Sequence, residues 1–249
     1  MISIQINSKS IQGTADLNNP IDISIPLKNG KNNPNTFFLP SPKIGPIIGE
    51  NFVGDVNQGG SCNCDTISLT PHGNGTHTEC VGHISSERNT INASLNNFHF
   101  LAKLITITPK EILGDFVITK AQIRAEFESR DCEALIIRTK PNSIDKKTKT
   151  YSGNNPAYIE NEAIRLITHM GIKHLLIDLP SVDKEEDGGV MIGHHTFFNY
   201  PISPKTDRTI TEMIYVDNKV EDGYYLLNLL IAPIESDASP SKPIIYPIK

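Results

Sequence analysis

The segment between residues 71 and 83 most constrains what this chain can fold into, because it concentrates metal-ligating side chains. It reads Pro-His-Gly-Asn-Gly-Thr-His-Thr-Glu-Cys-Val-Gly-His and holds three of the eight histidines, one carboxylate and three glycines. Neutral imidazole and carboxylate are common ligands of zinc, manganese and iron. Glycine lets the backbone turn back, so that donors on both sides of a turn converge. The segment therefore predicts a metal site and favours a metal-dependent hydrolase.

A second group of candidate ligands lies in the C-terminal half of the chain. His194 and His195 are followed by Glu212, which stands in an otherwise apolar and β-branched run over 209–216. A carboxylate in such a strand is costly to bury unless it is paired or ligated. Two histidines at the protein surface and a strand glutamate that faces water would explain the same pattern. Together with the first segment, the group favours further metal ligands.

Strand and helix signals alternate along the chain and indicate an α/β fold. Residues 156–170 carry apolar side chains at helical spacing, Gly171 is a typical helix end, and 172–179 is an aliphatic run typical of a buried strand. A polar hairpin is predicted at 184–189, and 119–127 carries a weak helical pattern. The other predicted strands are 2–6, 21–27, 66–70, 100–107, 134–138, 209–216 and 224–231. These signals predict a single domain over 1–249, with a mixed sheet and flanking helices.

Residues 28–63 are rich in Gly, Asn and Pro and predict a long insertion at the surface. Its Phe37, Phe38 and Phe52 either line or cover the cleft, or they mediate subunit contact. The residues themselves do not rank these alternatives.

Charge and hydropathy exclude several classes of protein. The net charge is −5, and no basic stripe with interleaved aromatic residues indicates a nucleic-acid binder. The longest apolar runs, such as 226–233, are too short to cross a bilayer. The N-terminal sequence has neither the charged start nor the apolar stretch of a secretory signal, so a cytoplasmic location is expected.

The remaining metal-ligating residue types have simpler explanations. The four cysteines lack the spacing of a zinc knuckle, and we expect reduced thiols without a role. His99, His169 and His174 are interpreted as structural, His169 because a cation complements the end of a helix. Asp178 either orients a ligand histidine or only ends a strand.

The chain resembles the cyclase-like metal-dependent hydrolases, the group that includes bacterial kynurenine formamidase (arylformamidase) and isatin hydrolase. Their motif is H-x-G-T-H-x-D-x-P-x-H, followed later by a His before an aliphatic or aromatic pair and then by a Glu. Here 75–77 reads Gly-Thr-His, Glu79 stands at the Asp position, and His83 is the final His. His72 is the first His, and the resemblance spans nearly the whole chain except 28–63. The later His and Glu match His194, with Phe197-Phe198 behind it, and Glu212; Ile177 to Ser181 also resembles a family segment.

The resemblance implies a swivelling β/β/α fold, assembled as a homodimer or homotetramer, and a site for one or two divalent ions, zinc or manganese. One ion would be held by His72, His77 and Glu79. A second would share Glu79 and add His194 and Glu212. The resemblance also implies that His83 is the general acid/base.

Three departures from the motif bear on this ligand set. One extra residue separates His72 from Gly75, Glu79 replaces an Asp, and Val81 replaces a Pro. The longer carboxylate and the longer spacing either compensate for each other or leave a site for one ion. His195 is the alternative to His194, because the two have nearly the same spacing.

The activity implied by the resemblance is hydrolysis of a non-peptide C–N bond in a small amide. N-formylkynurenine, an intermediate of tryptophan catabolism, is the leading candidate substrate. Hydrolysis of a lactone or a cyclic amide would use the same metal-activated water. A family member that binds metal without efficient catalysis is the remaining alternative.

Overall fold

The computed structural model describes residues 2–127 and 131–249. In chain order the strands are β1 (Ser3–Asn7), β2 (Gln12–Asp16), β3 (Ile21–Asp22), β4 (Lys43–Pro46), β5 (Asp65–Ser68), β6 (His77–Glu79), β7 (His99–Ile107), β8 (Lys110–Ile112), β9 (Asp115–Ile118), β10 (Ala134–Thr139), β11 (Tyr158–Ile159), β12 (His174–Ile177), β13 (Thr209–Glu212), β14 (Gly223–Ile231) and β15 (Ala238–Pro247). The α-helices are α1 (Pro71–Asn74), α2 (Ile91–Ser94), α3 (Lys120–Glu126), α4 (Asn161–His169) and α5 (Ile192–Phe198).

Seven strands of the described residues close into a barrel-like mixed sheet. Their order is β14-β7-β10-β12-β13-β6-β15, and β15 pairs with β14 to close the ring, while β3 adds to β15. β7, β10, β12 and β13 run parallel to one another, and β6, β14 and β15 pair antiparallel to their neighbours. Closure leaves few unpaired strand edges. The predicted α/β class, with a mixed sheet and flanking helices, is confirmed.

Strands β10 and β12 are buried on both faces, which explains the aliphatic runs at 134–137 and 175–177. In β10, Leu135 and Ile137 pack in a cluster that includes Ile164 of α4. Ile136 points the other way, into a cluster shared with strands β7, β12, β14 and β15. Successive side chains of a strand alternate between faces, so each strand serves two cores.

The predicted helix over 156–170 starts too early. Tyr158 and Ile159 form β11, which pairs with β9, and the Glu160 N–H donates to Ile118 O at 3.0 Å. The helix therefore begins at Asn161, after this strand pairing ends. Its end agrees with the prediction, since Gly171 has a φ of +87°, which favours glycine.

Other predicted strand boundaries were too generous, and several strands were missed, the longest of them β15. The strand predicted over 209–216 ends at Glu212, because Met213 has a φ of +52° and leaves the sheet. The strand predicted over 21–27 is regular only at Ile21–Asp22. β15 carries prolines at 240, 243 and 247, which argue against a central strand because proline has no N–H for the ladder.

Residues 184–189 form a loop rather than the predicted hairpin, and this loop leads into α5, a helix that was not predicted. The predicted insertion at 28–63 is not a plain loop, because β4 pairs with β5 in a two-stranded ribbon. Among the described residues, every helix is too short or too polar to cross a membrane.

Candidate metal centre

Residues 77–79 of the histidine-rich segment form a strand, β6, and not the loop expected from its glycines. β6 lies between β13 and β15, and its His77 and Glu79 are both fully buried. Residues two apart in a strand point to the same face. The sheet therefore places an imidazole and a carboxylate side by side in the interior.

Glu212 joins them from the neighbouring strand, because β13 pairs it directly with His77. Its Oε2 lies 3.5 Å from His77 Nε2, and its Oε1 accepts the Val182 N–H at 3.0 Å. His77 Nδ1 donates to Gly75 O at 2.9 Å, which leaves the Nε2 lone pair directed toward the carboxylates. A backbone acceptor of this kind is common behind metal-ligating histidines.

His194 reaches the cluster from α5, whereas the adjacent His195 does not. His194 Nε2 lies 2.9 Å from Glu79 Oε1, and its Nδ1 donates to Asp183 Oδ2 at 2.6 Å. His195 Nδ1 donates instead to Tyr200 O at 3.2 Å. Of the two histidines that the sequence left open, the structure brings His194 to the cluster.

Asp183, and not Asp178, is the carboxylate that orients a histidine of the cluster. From the sequence, this is one of two roles expected of Asp178. Asp178 directly follows β12. It accepts hydrogen bonds from Thr139, the last residue of β10, and from Lys146. Asp183 lies two residues beyond Ser181, and α5 packs against it closely: a Cβ on Gly193 would stand 2.7 Å from Asp183 Oδ1.

His72 and His83 lie at the more open side of the cluster. His72 Nδ1 is 3.1 Å from Glu79 Oε2, and the His83 ring stacks on the His72 ring at a centroid distance of 4.0 Å. His83 Nε2 is 3.9 Å from Glu79 Oε2, which is farther than His72 Nδ1. The structure thus brings together every predicted site residue: His72, His77, Glu79, His83, His194 and Glu212.

Asp237 completes the cluster, and sequence reasoning missed it. Its Oδ2 lies 2.8 Å from His72 Nε2 and 3.2 Å from His83 Nδ1. It directly precedes β15, and the pairing of Ala238 with Glu79 brings it to the site. Its local sequence, Glu-Ser-Asp-Ala-Ser-Pro, is typical of a surface loop, so only the unpredicted strand reveals it.

The donor atoms fit a divalent cation. Three sets of ligand atoms lie within 4.8 Å of one another: His72, His77 and Glu79; His72, His83 and Asp237; and Glu79, His83 and His194. His77 Nε2, His194 Nε2 and both Glu79 oxygens are buried without a hydrogen bond of acceptable geometry. Each such atom costs roughly 1–3 kcal/mol. One ion at the first of these sets and a second at the third would satisfy all of them.

The electrostatics of the cluster favour a cation. Burial raises the pKa of Glu79, but His83 and His194 lower it well below its usual range. Burial lowers the pKa of His72, yet its hydrogen bond to Asp237 and the negative charge of Glu79 raise it to about 10. The hydrogen bonds from His72 and His83 also lower the pKa of Asp237. Glu79 and Asp237 are therefore ionised, and a metal that binds His72 must displace its proton.

A polar cavity of about 350 Å³ opens beside His83 and Asp237. Its other charged groups are Arg88 and Glu235. Glu235 accepts hydrogen bonds from Thr90 and Asn92, and Asp237 is held by the two histidines. Within the described residues, Arg88 has no ion pair or hydrogen bond. The cavity therefore offers one unpaired cation next to the cluster.

The chain is similar to a protein family and to bacterial enzymes of known name. The Cyclase family model, described as "Putative cyclase", matches residues 21–184. Kynurenine formamidase from Bacillus thuringiensis (strain Al Hakam) is 25% identical over 192 residues, which cover 77% of this chain and 83% of that protein. The enzyme of the same name from Bacillus anthracis is 23% identical over 192 residues, with the same coverage of 77% and 83%.

Solved structures share the fold. A predicted metal-dependent hydrolase from Bacillus stearothermophilus superposes with a TM-score of 0.65 at 20% identity, over 92% of this chain and 98% of that one. Isatin hydrolase A from Labrenzia aggregata, bound to benzyl benzoate, gives a TM-score of 0.64 at 14% identity, over 93% and 94% of the two chains.

Proposed function

This chain belongs to the Cyclase family, and from that premise we propose that it is a metal-dependent hydrolase acting on the C–N bond of a small amide. One observation carries the proposal: the unbonded ring nitrogens of His77 and His194 converge with both oxygens of Glu79 in the buried interior. Such a group of lone pairs has little structural purpose without a cation.

The proposed ligands are His72, His77 and Glu79 for one ion, with His194 and Glu212 completing a second position that shares Glu79. Imidazole with carboxylate suits zinc or manganese. When bound, such an ion polarises a carbonyl and lowers the pKa of water. Glu212 is partly engaged by the Val182 N–H, so its second oxygen is the one available to a metal.

His83 is the proposed general acid/base. Its Nδ1 lies against Asp237, which directs Nε2 toward Glu79 and the ligand cluster. An imidazole in this position moves a proton to the departing nitrogen of the amide. His83 is less buried than Glu79, as a group that meets substrate must be.

N-formylkynurenine is the proposed substrate. The curated relatives bear the name of an enzyme that acts on it, and it carries an amino-acid carboxylate besides its formamide. Arg88, the unpaired cation of the cavity beside His83, supports a substrate with a carboxylate. Neutral isatin and simple lactones have no group for this arginine.

The deciding experiment combines elemental analysis with a substrate panel. We expect one or two equivalents of zinc or manganese per chain, and hydrolysis of N-formylkynurenine faster than of isatin or a lactone. His83→Ala should retain metal and lose turnover, whereas His99→Ala, an exposed histidine on β7, should behave as wild type. A protein that retains no metal and rebinds none would overturn the proposal.

Two broader expectations accompany this activity. We propose a cytoplasmic homodimer or homotetramer, with the segment 28–63 at the cleft or at the subunit contact. Sedimentation velocity measures the oligomeric state. Phe38→Ala removes an exposed ring and separates the two roles of the segment: KM rises if the segment lies at the cleft, and the oligomer dissociates if it lies at the subunit contact.

A further inference from the structure

A second cavity, of about 580 Å³, lies between α4, α5 and the loop that follows α5. The predicted metal ligands do not line it. Tyr200 lines the cavity together with five basic side chains: Arg165, His169, His195, Lys205 and Arg208. We call this cavity the basic groove.

The charge of the basic groove is opposite to that of the chain. Three fixed cations and two histidines line it and no carboxylate does, although the protein carries a net charge of −5. Like charges gathered around one space repel each other. Their concentration on an acidic protein makes the groove electrostatically suited to an anion.

Of the nearest carboxylates, Asp207 pairs outside the groove and Glu162 forms an exposed pair with Arg165. Asp207, next to Arg208 in sequence, pairs with Lys173 at 3.1 Å. Glu162 pairs with Arg165 at 3.3 Å on the exposed face of α4. Within the described part of the chain, Lys205 and Arg208 make no ion pair.

Helix ends explain part of this basic lining but not all of it. His169 and His195 stand in the last turns of α4 and α5, where a positive charge complements the helix dipole. Arg208 Nη1 donates to Phe197 O at 2.6 Å, which caps α5. These contacts leave the other guanidinium N–H groups of Arg208 and the half-buried ammonium of Lys205 without an acceptor in the described residues.

We propose that the basic groove binds a phosphate-bearing small molecule, with Lys205, Arg208 and Arg165 as its charged contacts. Guanidinium presents several N–H groups in one plane and matches phosphate oxygens, and lysine adds a point charge. The volume is within the range of about 300–1,000 Å³ typical of small-molecule sites, so it admits an organic group beyond the phosphate.

Calorimetric titration of the purified protein with inorganic pyrophosphate at low ionic strength tests this site. We expect saturable binding that Lys205→Gln and Arg165→Gln each weaken about tenfold, the effect of one lost charge-assisted hydrogen bond. Both side chains reach solvent, so the variants should fold with an unchanged melting temperature. Lys219→Gln, an exposed lysine outside the groove, is the matched control and should bind as wild type.

Because pyrophosphate also coordinates metals, binding at the metal centre must be distinguished. Binding that survives unchanged in both groove variants would overturn the proposal, and so would absence of binding to the wild type. Co-sedimentation with phosphatidylglycerol vesicles, without pyrophosphate binding, would assign the groove to lipid headgroups and overturn it as well. The outcome is independent of the hydrolase activity, which is measured separately.

Discussion

Asp183 holds His194 at two points: it accepts a hydrogen bond from the ring Nδ1 at 2.6 Å and another from the backbone N–H at 3.1 Å. Burial lowers the pKa of His194, but Glu79 and Asp183 together raise it well above the usual value. The first contact places the Nδ1 proton, and the second fixes the start of α5. His194 Nε2 is thereby directed at Glu79.

Replacement of Asp183 should weaken metal binding without unfolding the protein. We expect Asp183→Asn to lower metal affinity about 10–100-fold, the usual cost of losing the partner behind a ligand histidine. Competition with a chromogenic chelator measures this affinity. Asp145→Asn, an exposed carboxylate outside the site, is the control. Equal affinity in the two variants would show that Asp183 does not orient a ligand.

The choice between the adjacent histidines gives a second prediction. His194→Ala removes a nitrogen that lies 2.9 Å from Glu79 and should lower the metal content, most visibly for a second ion. His195→Ala removes only a contact with Tyr200 O and should retain the metal. Elemental analysis of both variants decides the matter, and metal loss in His195→Ala alone would reverse the assignment.

Asp237 should act on turnover through His83. We expect Asp237→Asn to reduce kcat about a hundredfold, at the lower end of what general acid–base catalysis contributes. Asp237→Glu should recover part of this loss, because it restores the charge. The pH profile of kcat and the metal content are measured together. If kcat per bound metal is unchanged while the metal content falls, the contact of Asp237 with His72 is the one that matters.

The sequence predicted the parts of the fold whose local pattern agrees with their surroundings. β10 and β12 have aliphatic runs because both of their faces are buried, and α4 has an apolar stripe because it packs on one side. The histidine-rich segment was identified by the donors it contains. Its conformation was not, since the strand pairing of β6 depends on distant residues.

What the sequence did not reveal depends on contacts far along the chain. Asp237 reaches the site through β15, whose prolines are typical of loops. Asp183 lies in a polar run that only the packing of α5 gives a role. Arg88 is an ordinary surface arginine until the fold places it beside His83. A single sequence contains no signal that distinguishes these three from other polar residues.

A buried histidine outside the site should make the protein sensitive to acid. Burial, aided by the charge of Lys173, lowers the pKa of His174 from 6.5 to about 4. Its Nδ1 lies 2.9 Å from Thr209 Oγ1, and its ring packs 3.9 Å from the Phe100 ring. Between these pKa values the unfolded chain binds more protons than the native protein, so the free energy of unfolding falls as pH falls.

Between pH 7 and pH 5 this proton uptake should remove about 2 kcal/mol of the free energy of unfolding, at about 1.4 kcal/mol per pKa unit. His174→Gln keeps a group that bonds Thr209 but does not titrate, so its stability should fall about 2 kcal/mol less than that of wild type over the same range. Urea unfolding at both pH values measures the difference, and any acid release of metal affects both proteins equally. His99→Gln, at an exposed histidine, should follow wild type. Parallel curves for His174→Gln and wild type would mean that His174 is protonated in the native protein, despite its burial against Phe100.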